Sequence, residues 1–415
     1  MLAMRQVMRI VFDRGTLLLD KRAADAPSLP GTVWDPRVRG WRAPAFAWRE
    51  LRDGPDPIAT RIGGRRPWPP PPLRPYQASA LEAWRRNRGR GLVCLPTGAG
   101  KTRVGVAAIA HTGLPALVLV PTRVLLHQWV ASLDEVCPGR VGVLGDGHRD
   151  LRRVTVSTFA SAWRRMDRMG DRFGLLVIDE AHHFGHGERD EALEMSVAPF
   201  RLGLTATPPE DLGSLPLLVG PVVTQLRVDD LAGTWLAAYD RVELALDLTE
   251  AERIAYEQDM ATFRRVHGPF RVGFPSATWP EFARAASRTD DGRRALAAIR
   301  RAKRLLAYPT AKAEVLRSLL AEHHAQRTLI FTANNEAAYR IAREELIMPI
   351  TCDIGRKERE TAIVVGSTRG AREHVQRIGR VLRPAEGKRA RVYELVTRRT
   401  SEVFQAMKRS QSFAA

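Results

Sequence analysis

Cysteine is nearly absent from this 415-residue chain: Cys94, Cys137 and Cys352 stand far apart, with no C-x-x-C pair. That excludes a disulfide framework and argues against zinc or iron–sulfur sites built on paired thiolates, and it points to a reducing compartment. No apolar stretch approaches the ~20 residues that a membrane-spanning helix requires. Arg5, Arg9 and Asp13 interrupt the apolar residues of the N-terminus, which does not read as a secretory signal. A soluble, cytoplasmic protein is expected. Lysine is scarce too, seven residues among 65 basic ones; base composition of the genome accounts for such a skew, so it is not read as recognition. Internal repeats are missing, apart from a second α/β pattern late in the chain.

Positive charge, by contrast, is abundant. A net charge of +19 calls for a polyanionic partner, most simply nucleic acid. A generally solvated basic surface is the alternative.

Residues 1–64 read as a small β-rich domain, with strands at 7–12 and 16–19 followed by a Gly/Pro/Trp-rich stretch. Residues 65–72, Arg-Arg-Pro-Trp-Pro-Pro-Pro-Pro, read as a polyproline linker, with an SH3-type ligand as the second reading. From 73 to 226, short apolar runs at 92–95, 116–120, 154–157, 175–178 and 201–204 alternate with helical patterns. Continuous apolar runs of that length suit a parallel sheet covered on both faces, with its functional loops at the C-terminal strand ends. Residues 227–310 read as mainly helical. Thr249 and Glu252 form a capping box there, and a helix over 292–307 carries Arg293, Arg294, Arg300, Arg301, Lys303 and Arg304. That basic side either grips a phosphate backbone or is a solvated face. A second α/β pattern fills 311–397, with helices at 311–324, 335–346 and 371–381 and strands at 328–332, 349–352, 362–366 and 391–396. A tail, 398–415, follows.

Three motifs carry chemistry. Leu95-Pro96-Thr97-Gly98-Ala99-Gly100-Lys101-Thr102 lies between an apolar strand and a helix, the context of a phosphate-binding loop. Its glycines let backbone N–H groups curl around the phosphates of a nucleotide; Lys101 would reach the β and γ phosphates, and the Thr102 hydroxyl would ligate Mg2+. The first position of the pattern is Leu95 rather than glycine. Asp179 and Glu180 end an apolar strand, Leu175 to Ile178; one carboxylate there can hold the metal and the next can polarise a water for in-line attack. His182, His183 and His186 follow, either as a metal cluster or as links between the nucleotide and neighbouring loops.

The ordered set Leu73-Arg74-Pro75-Tyr76-Gln77, LPTGAGKT, Pro121-Thr122-Arg123, Asp179-Glu180-Ala181-His182, Thr205-Ala206-Thr207 and Gln376-Arg377-Ile378-Gly379-Arg380 resembles a superfamily-two DEAH-box DNA helicase. VPTRVLLHQW, RLGLTATP, ITCDIGRKERE, QRIGRVLRP and the N-terminal WDPRVRGWRAPA resemble its XPB/Rad25 branch. The resemblance implies two RecA-like domains clasping ATP, with a helical insertion between them and a small damage-recognition-like domain in front. It implies an ATP-dependent DNA helicase or duplex translocase serving DNA repair, acting as a monomer on DNA without sequence preference. Gln77 would recognise adenine with Arg74 nearby, and Gln376 would also border the nucleotide. Arg377 and Arg380 would be arginine fingers, worth about 10³–10⁵ in rate. Pro121, Thr122, Arg123 and Thr158 would hold a DNA phosphate, while His182, Thr205 and Thr207 would couple nucleotide to nucleic acid.

Two departures stand out. Only nine residues, 353–361, separate the expected strands at 349–352 and 362–366, too few for a parallel crossover. The family carries a helix, a strand and a coupling motif in that interval. The expectation is a truncated second sheet with an open edge beside Ile363 to Val365, and, as an alternative function, an ATP- and DNA-binding relative with an impaired motor. An RNA helicase is a further alternative. The second departure is Pro208-Pro209-Glu210-Asp211, where relatives often carry Arg-Glu-Asp; the arginine associated with strand separation is missing.

Overall fold

The computed structural model describes residues 10–19, 31–51, 62, 64–349, 361–366 and 389–414. The chain divides into two compact units, Met1–Arg227 and Val228–Ala415.

The first unit opens with β1 (Ile10–Asp13), β2 (Thr16–Leu19), β3 (Val33–Asp35) and β4 (Gly40–Pro44), an antiparallel sheet in the order β1-β2-β4-β3. Ile10, Leu17, Leu19, Ala43 and Trp48 form its core together with Ile62, Leu114 and Val197 from the α/β body that follows. The proline-rich stretch is correspondingly no free spacer. The Arg66 N–H donates to Gly113 O at 2.7 Å and the Trp68 N–H to Ala110 O at 3.2 Å. These bonds satisfy carbonyls at a helix end that would otherwise need water, and they pin the segment as a strap.

The α/β body holds one eight-stranded sheet. Its strands are β5 (Arg90–Cys94), β6 (Ala116–Val120), β7 (Gly142–Gly145), β8 (His148–Asp150), β9 (Val154–Thr158), β10 (Leu175–Asp179), β11 (Phe200–Thr205) and β12 (Val222–Gln225), in the order β12-β5-β11-β10-β6-β9-β7-β8. All pairs are parallel except the β7–β8 hairpin. Every residue of β6 and β10 is buried, as a sheet covered on both faces demands. The apolar runs foresee the five central strands; the hairpin and β12 are additions. Four helices matter to the site: α1 (Pro75–Arg86), α2 (Lys101–Thr112), α3 (Arg123–Asp134) and the short α4 (Phe159–Trp163).

The second unit carries a sheet of β13 (Ala238–Leu246), β14 (Thr328–Phe331), β15 (Thr361–Val364) and β16 (Arg389–Thr397), ordered β13-β16-β15-β14 and wholly parallel. β13 is a strand within the region 227–310, which the sequence reads as mainly helical. It is a half-exposed strand paired, among the described residues, only with β16, so it lacks the continuous apolar run that marks a covered one. Helices α5 (Glu250–Gly273), α6 (Trp279–Ala286) and α7 (Asp290–Ala307) make up the rest of that region. The basic side of α7 is largely neutralised. Arg293 pairs with Asp290, Arg294 with Asp291, Arg301 with Asp259 and Arg304 with Glu336, while Lys303 sits 4.9 Å from the Trp279 ring centroid. The solvated-face reading fits these pairs better than a phosphate grip.

Nor do the described residues support a sheet left open at Ile363. β15 is interior, bonded to β14 on one side and β16 on the other. The link from β14 to β15 runs over residues 332–360 and includes α8 (Asn335–Glu344), ample for a parallel crossover. The strand expected at 349–352 and the short join after it lie almost entirely outside the described residues.

Lys312 is fully buried in the helix Thr310–Glu322. Its Nζ donates to both carboxylate oxygens of Glu402 at 2.8 Å and to Leu306 O at 2.9 Å. Glu402 belongs to the final helix, Ser401–Ala414. Removing one partner of a buried pair strands the other charge, so Lys312→Ala should destabilise the second unit by about 3–5 kcal/mol. Thermal unfolding read by circular dichroism checks this; an unchanged transition would exclude the pair as an anchor.

Candidate nucleotide site and nucleic-acid cavity

The parallel strand order sorts the functional loops into two groups along one sheet edge. β5, β11 and β10 are neighbours, so the phosphate loop, the Thr205-Ala206-Thr207 segment and the Asp179–Glu180 pair emerge side by side. The Leu95 N–H donates to Thr205 O at 3.0 Å, extending the ladder into the loops. β6, β9 and β7 form the second group, from which Pro121 to Arg123, Thr158 and Asp146 emerge.

In the phosphate loop, Gly98 and Gly100 have φ values of 88° and 78°, left-handed conformations that glycine adopts without strain. A Cβ on Gly100 would lie 2.5 Å from Gln77 Nε2. The Gln77 amide braces the loop: Nε2 donates to Ala99 O at 2.8 Å, and Oε1 accepts from the Arg74 N–H at 2.9 Å. The Tyr76 hydroxyl donates to the same Ala99 carbonyl at 2.8 Å. Gln77 is buried, and both ends of its amide are committed to protein groups. The adenine-reading role expected for it would therefore have to share or exchange these bonds. Lys101 Nζ donates to Leu95 O at 3.1 Å, a neutral acceptor that a phosphate oxygen can replace. Thr102 follows in the first turn of α2, and Pro96, Thr97 and Ala99 complete the loop.

Asp179 and Glu180 are adjacent in sequence, yet their surroundings push the two carboxyls in opposite directions. Burial, with the neighbouring Glu180 charge, pushes the Asp179 carboxyl above its ordinary range. Its oxygens accept from Trp129 Nε1 at 2.8 Å and from the Glu180 N–H at 3.0 Å. Burial acts upward on Glu180 too, but the His182 hydrogen bond and the Lys101 charge outweigh it and hold that carboxyl below its ordinary range. Glu180 sits at φ 52°, a left-handed position uncommon for a side-chain-bearing residue and often found where geometry is functional. Environments that drive two carboxyls apart in this way separate their chemical roles.

His182 continues the line. Its Nδ1 lies 3.3 Å from Glu180 Oε2 and 3.1 Å from Thr205 Oγ1. Thr205 gives its own proton to Thr207 O at 3.0 Å, so Nδ1 carries the hydrogen in that pair. Glu180, His182, Thr205 and Thr207 thus form one hydrogen-bonded row across β10 and β11. The metal-cluster alternative for the histidines has no support: among the described residues no group of three or more His, Cys, Asp or Glu is placed to hold a metal. Magnesium suits what is present, since it is commonly bound by one or two carboxylates together with substrate phosphates and water.

The second group lines a cavity of about 490 Å³. Pro121, Thr122, Arg123 and Thr158 meet there, joined by His148, Arg149, Arg164 and Arg165, which the sequence did not single out. Thr122 caps α3, its Oγ1 accepting from Leu125 N at 3.3 Å, and Thr158 caps α4 by accepting from Ser161 N at 3.3 Å. Helix α3 also ties the two groups together: it starts at Arg123 in the cavity and places Trp129 on Asp179. Trp129 reads in sequence as core, on one face with Leu126 and Leu133; only its polar N–H hints at more. Gln376, Arg377 and Arg380 lie outside the described residues.

A phosphate loop, paired carboxylates and a threonine-rich link at adjacent strand ends define a protein of the superfamily-two helicase class. Comparisons narrow this. Residues 10–54 match the Xeroderma pigmentosum group B helicase damage recognition domain, and residues 71–210 match the family described as type III restriction enzyme, res subunit. The DNA 3'-5' translocase XPB2 of Sulfurisphaera tokodaii is 30% identical over 94% of this chain and 96% of its own length. The DNA 3'-5' helicase XPB of Mycobacterium tuberculosis is 26% identical over 82% of this chain, which spans 64% of that longer relative. In fold the chain is similar to the crystal structure of the Pyrococcus furiosus Hef helicase domain, with a TM-score of 0.51 at 16% identity, covering 81% of this chain and 98% of that one. The chain belongs to the XPB family. Nothing in these relatives supports the impaired-motor alternative.

Proposed function

We propose that this chain is an ATP-driven DNA 3'-5' translocase or helicase of the XPB type, working as a monomer in DNA repair. The observation that carries the reading is the hydrogen-bonded row from Glu180 through His182 to Thr205 and Thr207, set beside the phosphate loop and on the same sheet edge as a basic cavity. Lys101 and the loop N–H groups hold the phosphates, and Thr102 with Asp179 holds Mg2+, which offsets phosphate charge when bound. Glu180, kept ionised, accepts the proton of the attacking water. His182 relays the state of this carboxylate to Thr205. Gln77 and Arg74 border the base. Arg377 and Arg380, by their motif, supply the arginine fingers.

The cavity takes the sugar-phosphate backbone of DNA. Capped helix starts and four arginines suit phosphates and carry no base preference. The test is the ATPase rate with no nucleic acid, with duplex DNA and with duplex RNA. Duplex DNA should stimulate turnover severalfold more than RNA, with binding that weakens steeply between about 50 and 200 mM salt. Equal stimulation by RNA would overturn the assignment to DNA, and an ATPase indifferent to both would overturn the motor.

A further inference from the structure

The cavity contains one residue that opposes its purpose. Among the thirteen residues lining it, Asp146 alone is acidic, against Arg123, Arg149, Arg164 and Arg165. Its carboxylate is not idle. Oδ1 lies 3.2 Å from Arg123 Nη1 and Oδ2 lies 2.9 Å from His127 Nε2. Both partners come from the first two turns of α3, the helix whose start faces the cavity. Asp146 and Gly147 are the two-residue loop of the β7–β8 hairpin, with φ values of 50° and 83°. Positive φ at both positions is the I′ turn, for which Asp-Gly and Asn-Gly are the favoured pairs. The backbone therefore accounts for a short polar residue at 146 but not for its charge, since asparagine satisfies the same turn.

We propose that Asp146 is an internal competitor for DNA phosphate. It holds Arg123 and His127 by the same kind of contact a backbone phosphate would make. DNA entering the cavity must take these groups from the carboxylate, and the carboxylate recaptures them as DNA leaves. The device weakens the grip at one point of the path and so favours release, which a protein moving along a polyanion needs at every step. This inference rests on the reading of the cavity as a DNA-backbone site.

The experiment is a titration of a fluorescently labelled duplex DNA with the full chain, followed by anisotropy at low salt, for the parent and five variants. Asp146→Asn keeps the turn and removes the competitor; it should bind roughly fivefold tighter, the scale set by an exposed ion pair plus relief of like-charge repulsion. In an Arg123→Ala background the same change should give much less tightening, because the contested cation is gone. Unchanged or weaker binding by Asp146→Asn, or equal tightening in both backgrounds, overturns the competitor. Arg164→Ala and Arg165→Ala test the underlying reading separately. If neither weakens binding, DNA does not occupy the cavity and the inference falls with that reading. If both weaken it while Asp146→Asn changes nothing, only the inference falls.

Discussion

Glu180→Gln should bind ATP with nearly unchanged affinity while its turnover falls about 10²–10⁴-fold, the usual contribution of a positioned general base. The amide keeps the size of the side chain and loses the proton-accepting charge. Lys101→Ala should behave differently, losing nucleotide affinity together with turnover, because it removes a cation that contacts bound phosphate in ground and transition states alike. Fluorescent-nucleotide binding combined with DNA-stimulated ATPase assays separates the two signatures. Stimulation surviving both changes would defeat the proposed mechanism. The pH dependence has a defined direction. Glu180 is held below the ordinary carboxylate value, so its ionised, active form persists as pH falls through that ordinary value. Any loss of turnover at milder acidity has another origin.

The second large effect concerns stability. Arg201, at the start of β11, is fully buried. Its guanidinium donates from Nε to Ala198 O at 3.0 Å, from Nη1 to Leu218 O at 2.6 Å and from Nη2 to Ser196 O at 2.6 Å. Burial, with the nearby Arg90 charge, pulls its pKa well below the usual arginine value. A planar fork with several fixed donors can serve three diverging carbonyls; the compact ammonium of lysine cannot. Arg201→Met should cost about 3–5 kcal/mol, since buried carbonyls at Ser196 and Ala198 lose their donors. Arg201→Lys should recover little of it. Urea unfolding followed by tryptophan fluorescence reports the loss; a midpoint within error of the parent chain would show that the carbonyls find other partners.

The sequence made the first unit legible where burial is complete. Runs such as Ala116 to Val120 and Leu175 to Ile178 are apolar throughout because both faces of their strands are covered, and the motifs at their ends follow directly. It was silent where strands are short or half exposed. Gly142–Gly145 and His148–Asp150 hold too few apolar residues to announce a hairpin, although Asp146-Gly147 carries the I′ turn signal that could have revealed it. Ala238–Leu246 is half exposed on both faces and blended into a helical neighbourhood. The cavity was half visible. Pro121 to Arg123 and Thr158 carry motif signals, whereas Arg149, Arg164 and Arg165 are ordinary arginines until the order β6-β9-β7 brings them together. Charge pairing was also hidden: the arginines of α7 look like a phosphate-binding stripe until Asp259 and Glu336 are seen beside them.

The strap at Arg66 and Trp68 has a consequence for reach. A domain hung on a flexible linker samples a volume, and its local concentration at a second binding site falls as the linker lengthens. The β1–β4 sheet samples no such volume, because it shares a core with Ile62, Leu114 and Val197 and its connecting segment is bonded to the end of α2. Whatever that sheet touches, it touches at a fixed offset from the nucleotide loop, as a feeler mounted on the chassis rather than trailed behind it.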